Sequence, residues 1–254
     1  MKIALIGYGK MGHEIERIAL LRGHEIVCAI DIDNISDFES DAFRGADVAI
    51  EFTAPSQAYD NVTRAFKAGL KVVSGSTGWM GDYSKEMENL CKNNGNTLFW
   101  SSNFSLGVAL FSMVNSYLAG LMNSYPMYQI SMSETHHIHK LDAPSGTAIT
   151  LAEDIINCVD RKIGWSQGSL LSAEGLQEPH IPVPESHIRI DSIREEEIPG
   201  IHNIYYESGA DTITITHQAK NRSGLALGAV IAAEYTNNHQ GFLTMKELIE
   251  SLSE

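Results

Sequence analysis

Apolar positions along the first hundred residues come in two rhythms. Short unbroken runs alternate with longer stretches in which apolar residues recur every three or four positions. Residues 2–6 (Lys-Ile-Ala-Leu-Ile) form such a run and end on Gly7; a run this short predicts a strand buried on both faces, as in a parallel sheet. The spacing then turns helical, with Met11, Ile15, Ile18 and Ala19 on one face and Gly23 as the stop. Residues 26–30, 46–52, 71–74 and 97–101 predict further strands. Pro55 sits near the first position of a helix that runs to about residue 68 before Gly69, and a second helix spans residues 80–94 before Gly95. Strand–helix alternation of this kind predicts a parallel α/β sheet. Residues 106–121 form a long apolar helix, expected to be a core or domain-joining element.

The second half changes character. Residues 127–133 alternate as a strand, residues 147–158 read as a helix, and residues 166–197 are rich in glycine, proline and charge, which predicts long loops with short strands, one of them near 187–193. Residues 202–207 and 211–217 read as paired strands joined at Ser208-Gly209-Ala210. These strands suggest a mixed or antiparallel sheet. A small-residue helix over 225–235 and an amphipathic helix over 242–252 close the chain.

Composition narrows the functional classes. The chain has 254 residues, enough for one large or two smaller domains, and a net charge of −14. That balance argues against a nucleic-acid groove or a polybasic membrane surface, since both need a basic footprint. Anionic small ligands need only a local cationic pocket. Cys28, Cys91 and Cys158 form neither a CxxC pair nor a disulfide framework, which fits a reducing compartment. Without a signal-like or membrane-spanning apolar run, the expected location is cytoplasmic.

Two stretches carry chemistry. The first is Gly7-Tyr8-Gly9-Lys10-Met11-Gly12, placed between a strand and a helix. Gly7 permits the tight turn, Gly9 lets the backbone approach a pyrophosphate, Gly12 allows close helix–strand packing, and the helix N-terminus attracts phosphate. Asp31 follows nineteen residues after Gly12 at the end of the second strand, where a carboxylate binds the adenosine ribose hydroxyls. Ile32 rather than arginine comes next, so a 2′-phosphate would meet an anion with no adjacent cation. NADH is therefore expected over NADPH. Gly75-Ser76-Thr77-Gly78 and Ser102-Asn103-Phe104-Ser105 are polar loops at strand ends, where open α/β sheets bind ligands.

The second stretch, residues 134–147, reads Glu-Thr-His-His-Ile-His-Lys-Leu-Asp-Ala-Pro-Ser-Gly-Thr. It concentrates positive charge in an acidic chain. Ser145-Gly146-Thr147 opens a helix and offers backbone N–H groups to an anion. Lys140 suits a carboxylate or phosphate, and His136 or His137 can act as acid or base near neutral pH. Lys140 and the lack of a nearby cysteine weigh against a zinc site, so no metal is expected. His180, His187 and Glu195-Glu196-Glu197 read as solvated surface.

Taken together, the glycine loop, Glu51-Phe52-Thr53, Gly75–Gly78, residues 102–105 and above all residues 134–147 resemble the 4-hydroxy-tetrahydrodipicolinate (dihydrodipicolinate) reductases over essentially the whole chain. The resemblance implies an α/β fold. A Rossmann-like dinucleotide-binding domain would comprise residues 1–104 and 218–254. An α+β substrate and oligomerisation domain with an open mixed sheet would span 105–217 and build a homotetramer. It implies NAD(P)H-dependent reduction of a cyclic imine dicarboxylate, with His136 as acid–base group and Lys140 as proton donor. His137, Ser145, Gly146 and Thr147 would grip a carboxylate. Gly7, Tyr8, Gly9, Lys10, Met11, Gly12 and Asp31 would form the dinucleotide site. Gly75, Ser76, Thr77, Ser101, Ser102, Asn103 and Phe104 would surround the nicotinamide. Three departures stand out: a glycine loop one residue shorter than in many members, Asp31-Ile32 in place of an acid–arginine pair, and Arg194-Glu195-Glu196-Glu197 where members often carry an Arg-x-Gly-Asp turn.

Overall fold

The computed structural model describes residues 1–172, 175–176 and 182–252. Two compact units are formed, Met1–Ala109 with Ser223–Glu254, and Leu110–Arg222.

The first unit begins β1 (Lys2–Ile6), α1 (Lys10–Leu21), β2 (Glu25–Ile30) and a 3-10 turn (Ile35–Glu39) that leads into the short α2 (Asp41–Arg44). It continues β3 (Val48–Glu51), α3 (Pro55–Lys67), β4 (Lys71–Ser74), α4 (Met80–Asn94) and β5 (Thr97–Trp100). The long helix α5 (Leu106–Asn123) then carries the chain across the boundary between units. The second unit adds β6 (Gln129–His136), α6 (Gly146–Ile156), β7 (Gly164–Ser172), β8 (Gly175–Leu176), β9 (His187–Arg194), β10 (Ile201–Glu207) and β11 (Thr212–Gln218). The chain returns to the first unit as α7 (Ser223–Asn238), β12 (Gly241–Leu243) and α8 (Met245–Ser251).

Strands of the first unit run β12-β5-β4-β3-β1-β2, every adjacent pair parallel. Their near-continuous apolar sequences follow from burial on both faces. One face packs Phe43, Ala58, Val62, Phe66, Met87 and Cys91 from α2, α3 and α4. The other packs Ile15, Ile18 and Ala19 of α1 with Ala226, Ala229, Val230 and Ala233 of α7 and Leu248 of α8. The small residues of α7 are there for close approach: a Cβ on Gly228 would fall 1.7 Å from the Phe104 carbonyl oxygen. At the C-terminal end of α7 the Lys71 ammonium donates to the carbonyls of Thr236, Asn237 and His239 at 3.1, 2.7 and 2.9 Å. The last carbonyls of a helix lack i+4 partners inside it; Thr236 additionally accepts the His239 N–H at 3.2 Å, and a cation there complements the helix dipole.

The second unit is a mixed sheet ordered β11-β10-β6-β9-β7-β8 among the described residues. Strands β6, β9 and β10 alternate buried and half-buried positions, so one face is covered and the other is open. The covered face packs Ile130, Met132, Ile188, Ile190, Ile204 and Tyr206 under Phe111, Ala119 and Met122 of α5 and Leu151 and Ile155 of α6.

Four expectations need correction. Residues 166–172, read as loop, belong to β7, where Trp165 and the residues around it pair in parallel with β9; small and polar residues hid a strand whose pairing is non-local. Residues 241–243 pair with β5 before the terminal helix starts, and Thr244 caps that helix in a capping box with Glu247. His187 is half-buried, its Nδ1 2.8 Å from Ser166 Oγ, and is not simply solvated. His180 lies outside the described residues. Finally, of the two roles expected of α5, core or domain-joining, the first does not fit: Leu110, Val114, Tyr117 and Leu121 are about half exposed or more. By length and composition alone α5 is long and apolar enough to cross a membrane.

Candidate active site

Parallel strands deliver all their C-terminal ends to one edge of the first sheet. Along that edge lie the glycine loop after β1, Asp31 after β2, Thr53 after β3, Gly75–Thr77 after β4 and Ser101–Phe104 after β5. The three glycines of the loop differ in their surroundings. Gly7 has φ +93°, and a Cβ on it would lie 2.1 Å from the Phe52 carbonyl oxygen. On Gly12 a Cβ would lie 2.4 Å from the Gly7 carbonyl oxygen, whereas one on Gly9 would have no neighbour within 4 Å. Gly7 and Gly12 are therefore explained by packing. Gly9 is not; it leaves bare backbone facing open space at the start of α1. Lys10 is exposed, Met11 packs partly into the core, and Tyr8 bends back to hydrogen-bond Glu16.

Asp31 is exposed, and its Oδ1 accepts the Ile32 N–H at 2.8 Å. Ile32 is 81% exposed. Gly75 sits on the Phe52 ring so closely that a Cβ would lie 2.1 Å from its Cζ. Two of the loop side chains expected at a ligand turn inward instead. Ser76 Oγ lies 2.6 Å from Glu51 Oε1, and the Phe104 ring is 2% exposed against Phe52 and Phe99. Only their backbone remains for a ligand. Thr77 and Ser102 are exposed, and Ser101 Oγ donates to the Asn103 carbonyl at 2.7 Å. Asn103 Oδ1 in turn accepts the Ser105 N–H at 2.9 Å, ordering the entry to α5. Glu51, read from sequence only as part of the family-matching Glu51-Phe52-Thr53 segment and given no role there, is fully buried. Besides Ser76 it accepts Ser74 Oγ at 2.6 Å and the Thr53 N–H at 2.9 Å, tying the ends of β3 and β4 together.

In the second unit β6 runs through Glu134 to His136, three residues beyond the predicted strand end. This extension decides the geometry. Strand periodicity puts Glu134 and His136 on one face, while pairing sets Arg194 of β9 beside His136 and His202 of β10 beside Glu134. Glu134 is completely buried, with Arg194 Nη1 at 3.1 Å from its Oε2 and Nη2 at 2.9 Å from its Oε1. His136 Nδ1 bonds the same Oε2. Burial alone would raise the Glu134 pKa; the hydrogen bonds from His136 and Arg194 outweigh it and hold the group at about 2. Arg194 also donates to the carbonyls of Asp142 at 2.7 Å and Lys140 at 3.3 Å, so one guanidinium joins the strand to the loop that follows it.

That loop carries the rest. Lys140 Nζ is 2.8 and 2.9 Å from the two oxygens of Asp142. His139, exposed, meets Glu197 at 3.1 Å. The local positive charge inferred from sequence is thus matched by carboxylates on all three of His136, His139 and Lys140. Buried His137 Nδ1 has no hydrogen-bond partner among the described residues. After the cis Ala143–Pro144 bond, Ser145 caps α6, its Oγ accepting the Ala148 N–H at 3.2 Å and lying 3.1 Å from His202 Nε2. Gly146 at the helix start is exposed, and Thr147 half-buried. Burial, reinforced by neighbouring His136, lowers the His202 pKa to about 3, so this ring is neutral. Sequence reading had placed neither Glu134 nor Arg194 in the site. Glu134 reads only as the opening residue of the 134–147 stretch, and Arg194 as the head of the segment that replaces an Arg-x-Gly-Asp turn.

Residues 1–104 match the model of the family described as dihydrodipicolinate reductase, N-terminus, and residues 107–249 match its C-terminal counterpart. The chain belongs to the dihydrodipicolinate reductase family. It is 45% identical over 256 residues to the 4-hydroxy-tetrahydrodipicolinate reductase of Christiangramia forsetii, covering 99% of each chain. It is 31% identical to that of Archaeoglobus fulgidus, covering 98% of this chain and 100% of the other. Among solved structures it is similar to a dipicolinate-bound dihydrodipicolinate reductase from Paenisporosarcina sp. TG-14, with TM-score 0.72 and 22% identity over 96% and 97% of the two chains. At that identity the likeness concerns the fold, a Rossmann-like parallel sheet plus a separate mixed sheet.

Proposed function

We propose that this chain reduces 4-hydroxy-tetrahydrodipicolinate to tetrahydrodipicolinate with NAD(P)H, in lysine and diaminopimelate biosynthesis. The observation that carries this reading is the buried Glu134–His136–Arg194 cluster at the end of β6, in a chain 45% identical along its length to a reductase of that name. The first unit holds the dinucleotide and the second the substrate. The open Gly9 backbone supports a pyrophosphate at the start of α1. His137, with its buried unpaired Nδ1, together with Lys140 and the Ser145-Gly146-Thr147 helix start, grips a substrate carboxylate.

Reduced nicotinamide supplies the hydride. Loss of the 4-hydroxyl as water leaves a conjugated cyclic imine that accepts the hydride at C4. The electron pair displaced into the ring is taken up by a proton from His136 or Lys140. Lys140 must exchange its Asp142 partner for a substrate carboxylate, or share it. The chain works as a cytoplasmic homotetramer. Its three free thiols and the exposed apolar side of α5 support that reading.

The decisive experiment mixes the purified protein with NADH and freshly prepared 4-hydroxy-tetrahydrodipicolinate and follows NADH absorbance. Substrate-dependent oxidation is expected; its absence with both NADH and NADPH overturns the reading. NADH is the preferred cofactor, because exposed Asp31 stands beside Ile32 with no arginine. Asp31→Ala combined with Ile32→Arg should move the NADPH/NADH ratio of kcat/KM on the order of tenfold or more toward NADPH, the worth of one charge-assisted contact. An unchanged ratio would show that another residue reads the ribose.

A further inference from the structure

We propose that Glu134 is a positioning residue: its carboxylate fixes His136 as the Nδ1–H tautomer and so makes Nε2 the nitrogen that exchanges a proton with substrate. This rests on the reading of His136 as the acid–base group. Arg194 presents two N–H groups to Glu134, at 3.1 and 2.9 Å, and an ionised carboxylate can only accept. The ring nitrogen that shares its Oε2 must therefore carry a hydrogen. With Nδ1 committed as a donor, the neutral ring keeps its lone pair on Nε2.

The surroundings of Nε2 agree with this division. Gly200 faces it, and a Cβ at that position would lie 3.0 Å from Nε2 and 3.4 Å from Cδ2. The missing side chain leaves that nitrogen room. His202 stands edge-on, its ring centre 5.2 Å away, with its own Nε2 directed to Ser145. Arg194 reaches past Glu134 to the carbonyls of Lys140 and Asp142. The same guanidinium thus orients the acid–base ring, through Glu134, and pins the loop that carries the second candidate donor. An ion pair kept only for stability would not need the histidine on the shared oxygen. A carboxylate that holds an imidazole in one tautomer is a known route to large rate effects from a group that never touches substrate.

Glu134→Gln, His136→Ala and the double variant test the inference, with kcat, KM and the isotope effect of 4-deuterated NADH measured on each, corrected for folded fraction. Glu134→Gln should lower kcat about 10- to 100-fold, keep KM within about threefold, and raise the isotope effect as the chemical step slows. The double variant should be no slower than His136→Ala alone, since groups acting as a unit are not additive. A loss of folded protein would scale the rate without moving the isotope effect. A kcat for Glu134→Gln within about threefold of the parent, or full additivity in the double variant, overturns the proposal while leaving His136 catalytic. An unaffected His136→Ala enzyme overturns the acid–base reading itself. Should Glu134→Gln not fold, nitrogen NMR of the parent protein decides: hydrogen retained on Nδ1, with Nε2 the nitrogen that gains and loses its proton, is expected, and a neutral ring carrying its hydrogen on Nε2 sinks the idea.

Discussion

His136→Ala is expected to lower kcat by about 10²- to 10⁴-fold, the usual contribution of a positioned acid–base group, with KM changed far less. The asymmetry follows from where the ring sits. It lies at the end of β6, 8% exposed, and its Nδ1 is committed to Glu134. Grip on the substrate carboxylate is assigned to other groups: His137, Lys140 and the first turn of α6. Removing His136 therefore removes an interaction made mainly in the transition state. Initial-rate kinetics with saturating NADH measure it. A kcat within about threefold of the parent, ~0.7 kcal/mol in barrier, would show that the proton comes from elsewhere, Lys140 being the first alternative.

Arg194→Leu should be the most destabilising single change in the second unit, by roughly 3–5 kcal/mol near neutral pH, because it strands an ionised carboxylate with no cation. Glu134 is fully buried, and Arg194 supplies two of its hydrogen bonds. Urea unfolding of the two proteins gives the difference. A loss under about 1 kcal/mol would mean that the folded protein does not depend on an ionised Glu134. The parent protein should show the same group in its pH dependence. In the folded state Glu134 titrates at about 2, below the ordinary 4.5. A depressed carboxyl pKa stabilises above the unfolded value and is lost as pH falls through the folded one. About 3 kcal/mol of stability should therefore disappear between about pH 5 and pH 2. In Arg194→Leu that acid-side loss should shrink, since the variant has less of it to lose.

How far the site could be read in advance depended on how local its causes are. The glycine loop was legible because its geometry is set by six consecutive residues between a strand and a helix. There Gly7 and Gly12 have the steric reasons assigned to them, and Gly9 is bare. Ser76 and Phe104 were legible as loop members but not as inward-facing side chains. That orientation follows from Glu51 and Phe52 at the end of β3, more than twenty residues away. Arg194 was legible as the position of a family Arg-x-Gly-Asp turn and Glu134 as the start of the 134–147 stretch, but neither as a partner of His136.

The strand–helix alternation and parallel sheet of the first unit, the family, and the stretch holding His136 and Lys140 follow from the sequence by itself, since periodicity and short-range spacing encode them. What the histidine stretch is bonded to was decided by tertiary structure alone. Sheet register sets His136 beside Arg194 and Glu134 beside His202, residues about sixty positions apart in the chain. No local pattern specifies such a register, because it is fixed by which faces of β6, β9 and β10 must be buried together. Through it His136 comes to share the Glu134 carboxylate with Arg194.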